Sequence, residues 1–443
     1  MTPPVLASTP DGIDAELGAN AQRSVPVRTS GPWWRRILAF IGPGYLVAVG
    51  YMDPGNWATD LAGGASYGYA LLWIVGLSSI MAMLLQVLSA RLGIVAQADL
   101  AQLTRQHSSR RSAMAQWLLC ELAICACDLA EVIGTAIALN MLFHIPLSIG
   151  VLLTVLDVLL ILWLQKFGFK YLEAFIMSLL AIVFLCFGIN LVLARPEWAA
   201  VAAGFIPSAR TVTDPGMLYL AIGIIGATVM PHNLYLHSSV VQTRRFDISD
   251  EGKAGAIRFA TADIVVALCF AFLVNAAILV TSGAVFHGSG NQQVAELQDA
   301  YRLLGPLTGA AVASTLFAVA LLAAGQSSSV TATLAGQIVM EGFIQVKLPP
   351  WARRLITRSI AIVPAFFVTA AYGEQGIGQL LLFSQVVLSL QLPFAMLPLI
   401  RYTSSRDIMG RFASPRTVAV VAWAMMATIV SLNVILIWKA WID

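Results

Sequence analysis

Two stretches of the chain carry residues whose types and spacing could do chemistry: Gly50-Tyr51-Met52-Asp53-Pro54-Gly55-Asn56 and Ala227-Thr228-Val229-Met230-Pro231-His232-Asn233. Each lies inside an apolar run, and in each a proline is followed two residues later by Asn. Proline has no N–H, and its ring clashes with the preceding turn of a helix. An unbroken helix would bond position 54 to the Gly50 carbonyl and position 231 to the Ala227 carbonyl; proline frees both. A carbonyl left unsatisfied away from water costs several kcal/mol, and a bound cation can satisfy it. The side chains beside the breaks say which cation. Asp53 offers a hard anionic oxygen, Asn56 a neutral carbonyl oxygen and Met230 a soft thioether sulfur. Such sulfur suits the softer transition-metal dications and adds little for Mg²⁺ or Ca²⁺. Packing is the commoner role for a methionine, and the chain has 14 of them, but packing does not require one beside Pro231.

A second constellation lies in the third apolar run: Glu121, Asp128 and Glu131. Spacings of seven and three place all three on one helical face. Carboxylates at membrane depth are costly and mark ion or proton pathways. Arg353 and Arg354, at the start of the ninth run, are the expected partners. Neighbouring helix residues point about 100° apart, so the two arginines serve different carboxylates. A static salt-bridge lock between helices stays open as an alternative. Asp157 and Asp263 also sit in apolar runs, and the sequence gives them no role. The five cysteines all lie in such runs, which speaks against a disulfide framework. Cys120, Cys125 and Cys127 cluster, and a metal role there is conceivable, but small packing residues in a membrane helix explain them better.

The elements that position these residues follow from composition. The chain has 443 residues, 58% hydrophobic and 11% charged, against about 25% charged for a soluble domain. Apolar runs near the bilayer-spanning length recur throughout and must be helices, because backbone in lipid has to satisfy itself. The short alternating segments of a membrane barrel are missing. The reading is an all-α polytopic membrane protein of eleven spans, at roughly 37–64, 69–95, 113–141, 147–164, 169–194, 216–241, 257–283, 307–329, 355–372, 376–399 and 416–440. Residues 1–35 are polar and without an apolar stretch, and read as a disordered cytoplasmic tail; 36–443 form the transmembrane domain. All but Arg195, Arg210, Arg302 and Lys439 of the 26 Lys and Arg fall in the tail, in even-numbered connections or at span ends abutting them. The positive-inside rule then puts the N-terminus in the cytoplasm and the C-terminus outside. Loops this short offer no nucleic-acid surface, and a His-Glu-x-x-His protease motif is absent from the sequence. The two interrupted runs are spans 1 and 6. If spans 1–5 (about 37–194) and 6–10 (about 216–399) are inverted repeats with an extra helix at 416–440, the breaks are equivalent, which is the sequence pointer to a transporter's central site.

These motifs resemble those of the NRAMP family of proton-coupled divalent metal ion transporters, in its bacterial manganese and iron type. Asp53-Pro54-Gly55-Asn56 and Met230-Pro231-His232-Asn233 are similar to the family's defining pair, and Ser384-Gln385-Val386 and Leu392-Pro393-Phe394 add to the likeness, which runs over about 37–440. The resemblance implies an inverted 5+5 repeat of the kind found in sodium-coupled amino-acid symporters, with helices 1 and 6 broken. It implies a secondary active symporter, not an enzyme, that imports Mn²⁺ or Fe²⁺, and also Cd²⁺ or Co²⁺, with protons by alternating access. Asp53, Asn56, Met230, the Ala227 carbonyl and the Gly50 carbonyl would hold the ion, with Gln385 approaching in some states. Many relatives have Ala where this chain has Gly50, a change a carbonyl ligand survives. Thr228 and Asn275 would be gate contacts. His232, His237, Asp128, Glu131 and Glu121, with Arg353 and Arg354, would carry the proton apart from the metal. Metal nearing Asp53 favours its ionised form, so a proton must leave, and Asp128 is the acceptor by analogy. No permanent cofactor, nucleic acid or partner subunit is expected; metal, protons and lipid of a bacterial inner membrane are. A sodium-coupled amino-acid symporter would want a free helix N-terminus and no thioether at its centre. A metal channel would leak without regard to pH.

Overall fold

The computed structural model of the protein describes residues 25–26, 40–157, 169–292, 294, 296–344, 350–372 and 377–442. Within them the apolar runs are helical. In chain order the principal helices are α1 (Pro43–Gly50), α2 (Pro54–Tyr67), α3 (Leu72–Ala96), α4 (Leu100–His107), α5 (Arg110–Phe143), α6 (Leu147–Leu153), α7 (Phe169–Ala194), α8 (Pro215–Thr228), α9 (Pro231–Val240), α10 (Asp250–Ser282), α11 (Leu297–Thr308), α12 (Val312–Ile344), α13 (Pro350–Tyr372), α14 (Ile377–Ser404) and α15 (Arg416–Ile442). The eleven spans expected from sequence coincide with α1–α2, α3, α5, α6, α7, α8–α9, α10, α12, α13, α14 and α15; the fourth is described as far as Asp157. Eight of them are long and apolar enough to cross a membrane among the described residues. The other three are the broken first span and the fourth and ninth, whose described apolar helices are shorter. The expected tail lies mostly outside the described residues, apart from Val25–Pro26, which pairs in parallel with Arg244–Arg245.

Local chemistry sets the helix starts. Asp214 accepts from Met217 N at 3.1 Å with Pro215 following it, an N-cap that holds its carboxyl below the usual range. Ser249 caps α10 ahead of Asp250 and Glu251, which complement the helix dipole. Asp99 caps α4 in a reciprocal box with Gln102.

The broken first span sits at the centre. α2 packs among α10, α8, α14 and α5, while α12 lies along α5 and α7. A side chain on Gly134 would collide with the Pro54 ring, so glycine lets α5 approach α2 at its first turn. Both ends of the span are fastened. At the start of α1, Asp263 accepts from Gly44 N at 2.7 Å. Arg244 there donates to the Phe40 and Ile41 carbonyls at 3.2 and 2.9 Å and pairs with Glu173 at 2.8 Å. Asp263 thereby gains the role the sequence did not supply. Towards the far end of α2, Tyr67 donates to Asp214 at 3.2 Å, Ser282 donates to the Leu61 carbonyl at 2.6 Å, and the His287 ring nitrogen meets the Ala65 carbonyl at 3.0 Å.

Candidate metal centre

Helix ends at Gly50 and resumes at Pro54; it ends again at Thr228 and resumes at Pro231. Each proline is the first residue of a new helix, the position where a missing N–H is harmless. Asp53 caps α2, its Oδ1 accepting from Asn56 N at 2.8 Å. The same Oδ1 accepts from Asn56 Nδ2 at 2.6 Å, and that amide nitrogen also donates to the Ala227 carbonyl at 3.0 Å. The two breaks therefore face one another, with one electropositive amide between an anionic oxygen of the first and a freed carbonyl of the second. Asp53 Oδ2 is buried without a hydrogen-bond partner among the described residues.

Met230 is fully buried in a small apolar cluster with Ala123, Cys127, Ala332 and Leu388. Its sulfur accepts from Asn233 Nδ2 at 3.5 Å, and the same amide packs against Gly50. Asn233 was quoted in the motif without a role; its place is to hold the thioether against the first break. Other freed carbonyls are met by side chains the sequence did not single out for this. Trp57 Nε1 donates to the Met52 carbonyl at 3.0 Å, and Asn275 Nδ2 donates to the Tyr51 carbonyl at 2.9 Å.

The remaining candidates lie around this point. The Gln385 amide covers Gly55, donates to Ser384 Oγ at 2.8 Å, and leaves Oε1 buried without a partner among the described residues. Asn275 also donates to Asn56 Oδ1 at 3.3 Å, and it lines a narrow cleft with Thr228, Tyr51 and Ser79. His232 is buried with its Nδ1 unpartnered among the described residues. His237 belongs to a separate chain of bonds: its Nδ1 meets Gln86 Oε1 at 2.8 Å, and Gln86 Nε2 meets the Tyr51 hydroxyl at 2.6 Å.

The carboxylates of α5 meet an arginine that the sequence reading did not name. Arg358 Nη1 lies 3.4 Å from both Asp128 and Glu131, and its Nη2 lies 3.3 Å from Asp157 and 2.9 Å from Ser329 Oγ. The expected pairing with Arg353 and Arg354 falls on side chains outside the described residues. Arg358 stands about one turn further along α13 than those two. Asp157 joins the cluster from the fourth span. Glu121 accepts from Trp117 Nε1 at 3.1 Å, one turn away on its own helix. Charge at membrane depth was the available signal for Arg358 and Asp157, but it could not say which groups meet.

Three comparisons bear on this arrangement. A family model described as natural resistance-associated macrophage protein-like matches residues 44–439. The chain is 59% identical over 426 residues, 96% of each chain, to the divalent metal cation transporter MntH of Xanthomonas campestris. It is also 59% identical over 415 residues to the MntH of Bradyrhizobium diazoefficiens, covering 94% of this chain and 92% of that one. Among solved structures, a manganese transporter of Eremococcus coleocola is similar with a TM-score of 0.87 at 43% identity, covering 95% of this chain and 90% of that chain. Mhp1, a nucleobase-cation-symport-1 family transporter, shares the fold at TM-score 0.58 and 17% identity, over 94% of this chain and 91% of that one.

Proposed function

Since the chain belongs to the natural resistance-associated macrophage protein-like family, we propose that its two facing helix breaks bind Mn²⁺ or Fe²⁺ as substrate and pass it across the membrane together with protons. At the coarser level the chain is a multi-pass membrane transporter of divalent metal cations and not an enzyme. The finer reading assigns Asp53, Asn56, Met230 and the Ala227 carbonyl as donors to the ion, with the Gly50 carbonyl and Gln385 completing the shell in some states. Cd²⁺ and Co²⁺ would follow the same route. The chain would work as a monomer in a bacterial inner membrane, N-terminus in the cytoplasm and C-terminus outside, with no resident cofactor.

One observation carries this reading: a buried amide N–H₂ bridges the Asp53 carboxylate and the Ala227 carbonyl, the spot where a cation would be held. Binding asks the Asn56 amide to turn over, so that its oxygen faces the ion. Asn275 Nδ2 donates to that oxygen at 3.3 Å, so the turn also asks Asn275 to re-pair. Thioether sulfur then favours a transition-metal dication over Ca²⁺. Proton coupling draws support from a charge count. Among the described residues Asp128, Glu131 and Asp157 share the guanidinium of Arg358, so these four groups are together formally two charges negative unless they hold protons, and charge at this depth is expensive.

The test is uptake into proteoliposomes with internal pH recorded. The reading expects saturable Mn²⁺ uptake accompanied by acidification, both lost in Asp53→Ala. Normal uptake by Asp53→Ala would refute the site. Mn²⁺ entering without acidification, at a rate indifferent to pH, would replace coupled transport with a channel.

A further inference from the structure

Two further prolines, Pro393 and Pro398, lie inside α14. A helix passes through Pro393 only by giving up one bond: the Ser389 carbonyl loses the N–H that position 393 would have offered. Ser389 is buried, and a buried carbonyl without a donor is costly. The missing donor comes from α15. Asn433 Nδ2 donates to the Ser389 carbonyl at 2.9 Å, and Ser389 Oγ donates to Asn433 Oδ1 at 3.1 Å. Asn433 is buried, although most of the apolar stretch of α15 is not. An amide turned inward from such a helix ties it to its neighbour.

The same turn of α14 reaches the candidate metal centre. Gln385 lies four residues before Ser389, one turn away on the same face. A side chain on Gly226 would strike the Gln385 carbonyl and the backbone N and Cβ of Ser389. Glycine therefore seats α8 against this turn, one residue before Ala227. A side chain on Gly55 would strike the Gln385 amide, which thus covers the first turn of α2. Gln385 lies against both breaks, and Ser389, one turn on, is gripped by Gly226 on one side and Asn433 on another. A helix bends where a proline has removed an internal bond. A change of bend between Ser389 and Pro393 moves the turn that carries Gln385.

We propose that Asn433 is a positioning residue for Gln385: its amide stands in for the N–H that Pro393 lacks, fixes the bend of α14 and so sets the reach of the Gln385 side chain towards the ion. The inference rests on the reading of Gln385 as a donor to that ion. The last helix, which contributes no donor to the proposed shell, becomes part of its support. At Pro54 and Pro231 the freed carbonyls face the ion's place. At Pro393 the freed carbonyl is met by a side chain of another helix, so it marks a joint and not a ligand.

The experiment is a pair of double-mutant cycles on the purified full chain, reading thermal unfolding and equilibrium Mn²⁺ binding. Asn433→Leu should lower the unfolding temperature and weaken Mn²⁺ binding about tenfold, within the range set by a buried carbonyl that loses its donor. Pro393→Ala gives the Ser389 carbonyl its own helix donor, so adding Asn433→Leu to it should cost little further stability. Binding should stay weak in that pair, because a regular helix holds Gln385 elsewhere. In a Gln385→Ala background, Asn433→Leu should still lower the unfolding temperature but change Mn²⁺ binding by less than about twofold, the non-additivity of residues that act through one another. A tie that merely fastens α15 would weaken binding equally with and without the Gln385 side chain, and that result overturns the proposal. Wild-type binding by Asn433→Leu overturns it as well. If Asn433→Leu does not fold, the Pro393→Ala/Asn433→Leu chain decides, and wild-type binding there overturns the positioning role. Binding retained by Asp53→Ala strikes the central site and the positioning role with it, whereas binding lost in Asp53→Ala but unaltered in Asn433→Leu strikes the positioning role alone.

Discussion

The candidate metal centre and the Arg358 cluster are one helix apart and differ in how their charge is met. At the centre, Asp53 has no cationic partner among the described residues, one carboxylate oxygen is unpaired, and the neighbouring donors are an amide, a carbonyl and a thioether. In the cluster, a buried guanidinium is shared by Asp128, Glu131 and Asp157. The first keeps an unpaired carboxylate oxygen among the described residues, and the second carries a counter-charge of its own. They touch through α5, whose Gly134 lies against Pro54 one turn from Glu131. On the proposed reading, an ion that alters charge at Asp53 would act on the Arg358 cluster through this contact. A transporter needs both kinds of site: one that exchanges its occupant, and one that changes charge without falling apart.

Stability should separate the two regions most sharply. Arg358→Gln takes a shared counter-charge from three buried carboxylates and should cost about 3–5 kcal/mol, the usual penalty for breaking a buried ion pair, read as a large fall in thermal unfolding temperature. Asp53→Asn removes a charge that has no cationic partner among the described residues and keeps the cap, so it should leave stability unchanged or raised while Mn²⁺ binding disappears. Equal destabilisation by the two would break the contrast. Glu131→Gln comes next: Arg358 keeps Asp128 and Asp157, so the fold should hold and Mn²⁺ binding persist while metal-driven acidification is lost. Full acidification by that variant would remove Glu131 from the proton route. Met230→Ala should retain Mn²⁺ uptake but let Ca²⁺ compete for the central site, and an unaltered Ca²⁺ profile would deny the sulfur its selective role.

The smallest effect belongs to Asp99, in the connection between α3 and α4. Burial raises its carboxyl to about 7, against the pull of the Gln102 and Ala101 backbone N–H groups and of Arg105. A carboxyl raised on folding binds its proton more tightly in the folded chain. Its favourable contribution is therefore full below the unfolded value near 4 and is lost as pH rises through about 7. Asn caps a helix as well as Asp does, so Asp99→Asn should flatten the fall of stability over that interval, a slope of at most about 1.4 kcal/mol per pH unit. An unchanged slope in thermal unfolding would remove Asp99 from the balance.

Much of the centre was legible because its causes are local. A proline that cannot donate breaks the helix wherever it falls in a long apolar run, and Asp53 and Asn56 are near enough in sequence to meet once α2 begins at Pro54. The spans were legible for a similar reason, since hydrocarbon permits little else of an apolar run this long. The Arg358 contact was not. Arg358 lies about one turn beyond Arg353 and Arg354 on one helix, and that it reaches three carboxylates depends on the height and rotation of α13 against α5 and the fourth span. Asp263 gave no sequence clue because its partner, the Gly44 N–H, is 219 residues away.

The sequence by itself determined that two helices break at Pro54 and Pro231 and which oxygen- and sulfur-bearing side chains lie beside each break, because a missing N–H acts on the chain where it stands. Only the tertiary structure decided that the Asn56 amide reaches across to Ala227, that Arg358 collects three carboxylates, and that Asn433 meets the Ser389 carbonyl. Those are matters of how separate helices are set against one another, and no spacing within one helix fixes the contacts it makes with the next.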